Sequence, residues 1–316
     1  MSHDPLADVI GPDDPGSPYD ADSLLIGDDA HWAFGTDFED PLAGVDTTLP
    51  DGVDPAELAE YCLMLGDDAL VLSQRLSEWC SRAPDLEEDV ALANIALDLL
   101  GQARLLLARA AAADPGCVPD LPPSSPVPPE DALAFFRDDR EFRNVHLAEA
   151  PRGDFGEAVT RLVLLSSWRL ALLGRLRESS DPVLAAIAAK GVAEVTYHRD
   201  YAARWFVTLA RGTDESRRRL ASAIDVLWPL VPELFAAHDI EVRVAEAGAG
   251  VEPAAVLDEV TGVLDQVFDA AGLERPAIDL RPHARQRGRD GVHTEAMGLL
   301  LAEMQVVARA HPTGVW

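Results

Sequence analysis

The sequence is short of cations before anything else. Lys and Arg number 26 against 55 Asp and Glu, a formal net charge of −29 over 316 residues. Lys190 is the only lysine, and residues 1–50 hold twelve acids with no Lys or Arg. So acidic a chain is a poor partner for nucleic acid or an anionic membrane, and neither is expected. Cysteine is scarce too. Cys62, Cys80 and Cys117 show no CxxC spacing. Cys62 and Cys80, expected on one helix about 27 Å apart, cannot bridge each other. Unpaired thiols, no signal peptide and no run of about 18 uncharged apolar residues point to a cytoplasmic protein. Aromatics make up only 6% although hydrophobic residues reach 48%, the composition of packed helices rich in Ala and Leu.

What is present is helical punctuation. Asp54, Pro55 and Glu57 supply an N-cap, a first-turn proline and a capping box. The stripe Leu58, Cys62, Leu65, Ala69, Leu72, Leu76, Trp79 carries that helix toward Pro84. Asp85 and Glu88 cap a second helix, LEEDVALANIALDLLGQARLLLARAAAA, which is apolar nearly all round and so expected at the centre of the fold. The proline-rich segment 114–131 is expected to be a long crossover loop. Asp154 and Glu157 start a third long helix to about residue 179; Asp181 and Pro182 start a fourth to about Arg211. Shorter helices are expected near 214–237 (kinked at Trp228 and Pro229), 253–271 and 294–310. Two hairpins of long helices joined by a crossover describe an all-α, ferritin-like four-helix bundle with additional C-terminal helices, over residues 54–316. Residues 1–53 lack any sustained period and read as an acidic, extended or partly disordered arm, with LLIGDDAHWAFG (24–35) as an apolar strap.

A ferritin-like bundle raises the question of metal. Its di-iron centre takes a Glu from each of two helices and a Glu-x-x-His pair from each of the others. The fourth helix carries Glu194 and His198, one turn apart on the stripe that also holds Lys190 and Tyr201. The second helix has no histidine, because none occurs between His31 and His146; Asp98 and Gln102 stand where the pair would be. The third has no Asp or Glu from Ala158 to Arg177. Two of six ligands are therefore missing, and no metal is expected. Asp68 falls on the packed stripe of the first helix, whereas Asp67 falls on its more polar side. The expected arrangement is a polar network of Asp68, Asp98, Gln102, Lys190, Glu194 and His198, with the lone lysine standing where cations would be. The competing reading leaves Lys190 and Glu194 solvated and His198 an ordinary core histidine. The cluster Arg211, Arg217, Arg218 and Arg219 reads as a solvated helix end.

LGDDALVLSQRLSEWCSRAPDLEEDVALANIALDLLGQAR (65–104), AEVTYH (193–198), RGTDES (211–216) and GVHTEAMGLLLAEMQ (291–305) together resemble the C-type subunits of bacterial phenylacetyl-CoA epoxidases, also called phenylacetate-CoA oxygenases. The resemblance covers roughly residues 56–316; the arm 1–53 and the loop 114–131 depart from it. It implies a ferritin-like, structural and non-catalytic component of a multicomponent monooxygenase in phenylacetate catabolism. A paralogous catalytic subunit of the A type would carry the di-iron centre, and a reductase with flavin and iron–sulfur groups would deliver electrons from NADPH. The implied reaction is O2-dependent epoxidation of the aromatic ring of phenylacetyl-CoA, with no cofactor bound by this chain. Two other readings stand beside it: a metal-binding oxygenase or oxidase in its own right, and an unrelated helical interaction protein.

Overall fold

The first long helix, α1 (Pro55–Ser77), is buried on almost every side. The Asp54 half of its cap is the expected one, the side chain accepting from the Ala56 and Glu57 amides, whereas no capping box closes through Glu57. Glu57 itself pairs across the surface with Arg243. In this computed structural model, which describes residue 42, residues 44–280 and residues 287–314, every regular element is helical. The first 41 residues, including the segment 24–35 read as a strap, lie outside the described residues. Residues 44–316 form one compact unit, within which 44–53 are irregular.

α1 stops short of the expected end. Ser81 takes the left-handed conformation, φ 65°, and donates its amide to both Asp89 oxygens at 2.8 and 2.9 Å. The chain therefore turns before Pro84, and Cys80 lies exposed beyond the helix. All three thiols are free. α2 (Leu86–Ala113) then returns along α1, capped by Asp85. The two approach closely because Gly66 has no side chain; a Cβ there would meet Leu107 Cδ2 at 3.1 Å.

The crossover is less irregular than its prolines suggest. A 3-10 turn spans Pro115–Cys117, and α3 (Pro129–Phe135) begins inside the proline-rich segment, because proline suits a first helical turn. The four-residue α4 (His146–Glu149) follows, then the second hairpin, α5 (Phe155–Leu176) and α6 (Pro182–Arg211). α5 packs on α6, and α6 packs on α2, which joins the hairpins into the four-helix body. α7 (Asp214–Leu227) ends where Pro229 removes an amide, and 3-10 geometry continues to Phe235. Then come α8 (Asp239–Glu246), α9 (Leu257–Ala271) and α10 (Glu295–Ala310). α8 and α10 pack on α1, while α9 packs on α5 and α6.

One expectation about the core is overturned. α2, the most apolar long helix, is not fully enclosed: Leu86, Val90, Leu97 and Leu100 are all exposed. α2 is also, among the described residues, the one single helix long and apolar enough to cross a membrane. The enclosed helix is α1, because α2, α4, α8 and α10 all pack against it.

Candidate functional site

Three side chains and a carbonyl connect all four long helices through the middle of the bundle. Arg169, on α5, donates from Nε to Gln102 Oε1 at 2.9 Å and from Nη1 to the Leu65 carbonyl of α1 at 3.1 Å. Gln102, on α2, donates from Nε2 to Glu194 Oε2 of α6 at 2.8 Å. One helical turn from that rung, His198 of α6 meets Asp98 of α2, Nε2 to Oδ2, at 3.0 Å. Asp98 and Gln102 stand at i and i+4 on α2, and Glu194 and His198 at i and i+4 on α6, so each helix presents its two residues on one face. Gly191 makes room: a Cβ there would stand 2.9 Å from Leu173 Cδ1 and 3.4 Å from Gln102 Cδ.

Burial sets the charge states. It holds the His198 imidazolium below its ordinary value despite the Asp98 bond, so at neutral pH the neutral ring donates Nε2–H to Asp98. Burial likewise raises Glu194, opposed by the Gln102 bond and by Lys190. Arg169 is pulled down to about 10 by burial, with Asp68 pulling the other way, and is still a cation at neutral pH. Beside it a cavity of about 10 Å³ is lined by Leu72, Leu99, Leu162, Leu165, Ser166, Arg169, Val195 and His198. That is close to the least space that can admit one water molecule.

The geometry separates the residues that the pattern grouped. Gln102 and Glu194 come together, as do Asp98 and His198. Asp68 does not join them. It binds Arg289, Oδ2 to Nη2 at 2.8 Å, and accepts the Val145 amide, also at 2.8 Å. Lys190 is not the interior cation; its side chain is 40% exposed and its ammonium lies 3.7 Å from Glu194. From the helix surface the long lysine stem carries its ammonium into water and not into the core. Tyr201 is half-buried, and its hydroxyl has no partner among the described residues. Asp67, assigned to the polar side, is fully buried against Arg137 and accepts the Arg143 amide at 2.8 Å. In the arginine cluster, Arg218 and Arg219 pair with Glu215 at the surface.

The residue that the pattern missed is Arg169. Its signal was available: it is the single charged residue between Leu162 and Gly174 on an otherwise apolar helix. Long charged residues are seldom fully buried without a partner.

The donor set does not fit a di-iron centre. The charged side chain that α5 brings to Gln102 is the Arg169 guanidinium, which would repel a metal cation where a carboxylate would attract one. Among the described residues, no three His, Cys, Asp or Glu side chains converge as metal ligation requires. Burial pushes the Cys62 thiol up, away from its reactive form. The arrangement can hold four helices in register.

The protein is an all-α bundle of ferritin-like architecture whose four long helices are joined internally by hydrogen bonds. The chain belongs to the phenylacetic acid catabolic protein family, which it matches over residues 46–316. It is similar to the C-type subunit of the 1,2-phenylacetyl-CoA epoxidase of Escherichia coli (strain K12), 42% identical over 262 residues, 82% of this chain and 99% of that protein.

Proposed function

We propose that this chain is the structural, non-catalytic subunit of a multicomponent di-iron monooxygenase that epoxidises the aromatic ring of phenylacetyl-CoA. Its partner is a related subunit that carries the metal, with a reductase supplying electrons. The chain itself binds no cofactor and contributes by holding that partner in its active shape, a shift of population and not a chemical step. The observation that carries this reading is Arg169. A buried cation bonded to Gln102, where a bundle of this kind would gather carboxylates, supports a body kept for its shape. The similarity to an epoxidase subunit supports the reaction and the complex. The reading of the chain as an oxygenase in its own right meets the unsuitable donor set; the reading as an unrelated helical protein meets the family match.

The test is reconstitution. This chain with the reductase is expected to show no phenylacetyl-CoA-dependent NADPH oxidation. Adding the di-iron subunit restores turnover, and the two chains co-elute from size exclusion. Full-rate turnover by the di-iron subunit with the reductase, in the absence of this chain, would refute the proposal, as would turnover by this chain and reductase alone.

A further inference from the structure

Among the described residues, α2 and α6 present a face with a row of exposed apolar side chains. On α2, Leu86 is 73% exposed, Val90 53%, Leu97 64% and Leu100 44%; on α6, Tyr197 is 51% exposed. Less than half of the most apolar stretch of α2 is buried within the chain. Single exposed apolar residues are ordinary, but a run of them at helical spacing marks an interaction surface. The two rungs of the interior site tie the face together: Leu97 and Tyr197 adjoin Asp98 and His198 in sequence, while Leu100 and Lys190 stand near Gln102 and Glu194.

Charge identifies the occupant. The chain carries −29 overall, yet this face mixes the exposed Lys190, Arg204 and Arg104 (the last paired with Glu130) with the exposed Asp200 and the partly exposed Asp98 and Glu194. A second copy would bring another −29 against it, and an anionic membrane would repel the chain likewise. A different, less acidic chain meets no such repulsion. Asp98 adds a finer requirement. It is 38% exposed, and among the described residues its one ion-pair partner is His198, which burial keeps neutral. Covered by an apolar surface, that carboxylate needs a counter-charge supplied from outside.

We propose that the α2–α6 face is the docking surface for a second, non-identical helical subunit, which lays an apolar pair of helices over Leu97, Leu100 and Tyr197 and sets a Lys or Arg against Asp98. The inference rests on the reading of this chain as one member of a hetero-oligomer and names where its partner binds. Docking there covers Lys190, the one lysine of the chain, and leaves α10 free.

A single lysine makes the surface readable. The full chain, by itself or co-purified with the di-iron subunit, is treated with an acetylating reagent, and the Lys190 peptide is followed by mass spectrometry with the N-terminal amine as internal control. Acetylation of Lys190 is expected to slow at least tenfold in the complex. Leu97→Arg and Tyr197→Arg, both at exposed positions, are expected to weaken association at least tenfold with unchanged melting; Leu299→Arg on α10, also exposed, leaves it intact. A complex that forms while Lys190 reacts at its free rate, and that Leu97→Arg does not weaken, overturns the surface but not the subunit reading. Failure of the chains to co-elute overturns the reading and the surface together. Self-association lost in Leu97→Arg assigns the face to a second copy, and sedimentation with phosphatidylcholine vesicles lost in that variant assigns it to a membrane; either result overturns the proposal.

Discussion

α1 and α2 pack against each other, and their fates are the reverse of their compositions. α1 carries Asp67 and Asp68 in its middle, and both are buried. α2 has the longer apolar run and leaves a row of leucines in water. The difference lies in what reaches each helix from elsewhere. Arg137, 70 residues away, neutralises Asp67, and Arg289, 221 residues away, neutralises Asp68. Arg289 also donates to the Met64 carbonyl at 3.0 Å. Acids on α1 are thus tolerated because distant guanidinium groups close on them, whereas among the described residues no element covers Leu86, Val90, Leu97 and Leu100 on the outer face of α2. Hydrophobicity says what a helix can bury; topology decides what it does bury.

The sharpest way to break that comparison is to remove the nearest counter-charge of one of the imported cations. Asp68→Ala leaves Arg289 with Glu241, 3.6 Å away, as its remaining buried carboxylate and is expected to cost about 3 kcal/mol in urea unfolding. Asp68→Leu with Arg289→Met and Glu241→Gln, which removes all three charges together, should recover much of it. A single-variant loss below about 1 kcal/mol would mean that α1 does not depend on the pair. Next in size is Arg169→Met, which leaves Gln102 Oε1 and the Leu65 carbonyl without their donor. The expected loss is about 1–3 kcal/mol, and unfolding at parental urea concentrations would remove the case for a strut across the bundle.

A pH series tests a smaller clamp on the α1 side. His293 places Nδ1 2.6 Å from Glu149 Oε2 and Nε2 3.0 Å from the Phe142 carbonyl, so both nitrogens face acceptors. Burial pushes the imidazolium down, but Glu149 outweighs it and the net shift is upward. For Glu149 burial pushes up, and His293 with the Thr294 amide brings the net shift below its ordinary value. A raised histidine stabilises fully below its unfolded value of about 6.5, and that contribution is lost as pH rises through the folded value. A lowered carboxyl stabilises above its unfolded value and loses that contribution as pH falls through the folded one. Stability should therefore decline on the alkaline side of about pH 6.5 in the parent and less steeply in His293→Gln. Parallel profiles would dismiss the clamp.

The smallest effect belongs to the α2–α6 side. Lys190→Ala removes a half-exposed pair and is expected to change the stability of the isolated chain by less than about 1 kcal/mol. A loss of several kcal/mol would return the lysine to the interior.

Local signals were legible in the sequence. Asp54, Asp85, Asp154 and Asp181 all cap helices by side-chain acceptance, and α2 runs over the residues that its pattern marked. The four long helices and their pairing followed from these. Pairing of side chains across the bundle was legible only in part. Asp98 with His198 and Gln102 with Glu194 lie on neighbouring helices at matching spacing. Asp67 with Arg137 and Asp68 with Arg289 depend on where loops arrive, which helical periodicity does not encode. The same limit placed Lys190 inside and overlooked Arg169: a stripe gives the direction of a side chain around its helix, not which helices stand opposite.

The Asp68–Arg289 bond also orders events during synthesis. The α1–α2 hairpin leaves the ribosome before the rest of the bundle, with two acids on the surface that later becomes its core. At about 5–20 residues per second, the 221 residues between Asp68 and its arginine take roughly ten to forty seconds to appear. Until then α1 has water, and not Arg289, as the partner of its Asp68 carboxylate. The first helix of the bundle to be made is finished by a residue that arrives near the end of the bundle's synthesis, so a message cut short before codon 289 yields a bundle whose central helix never receives its arginine from that distant segment.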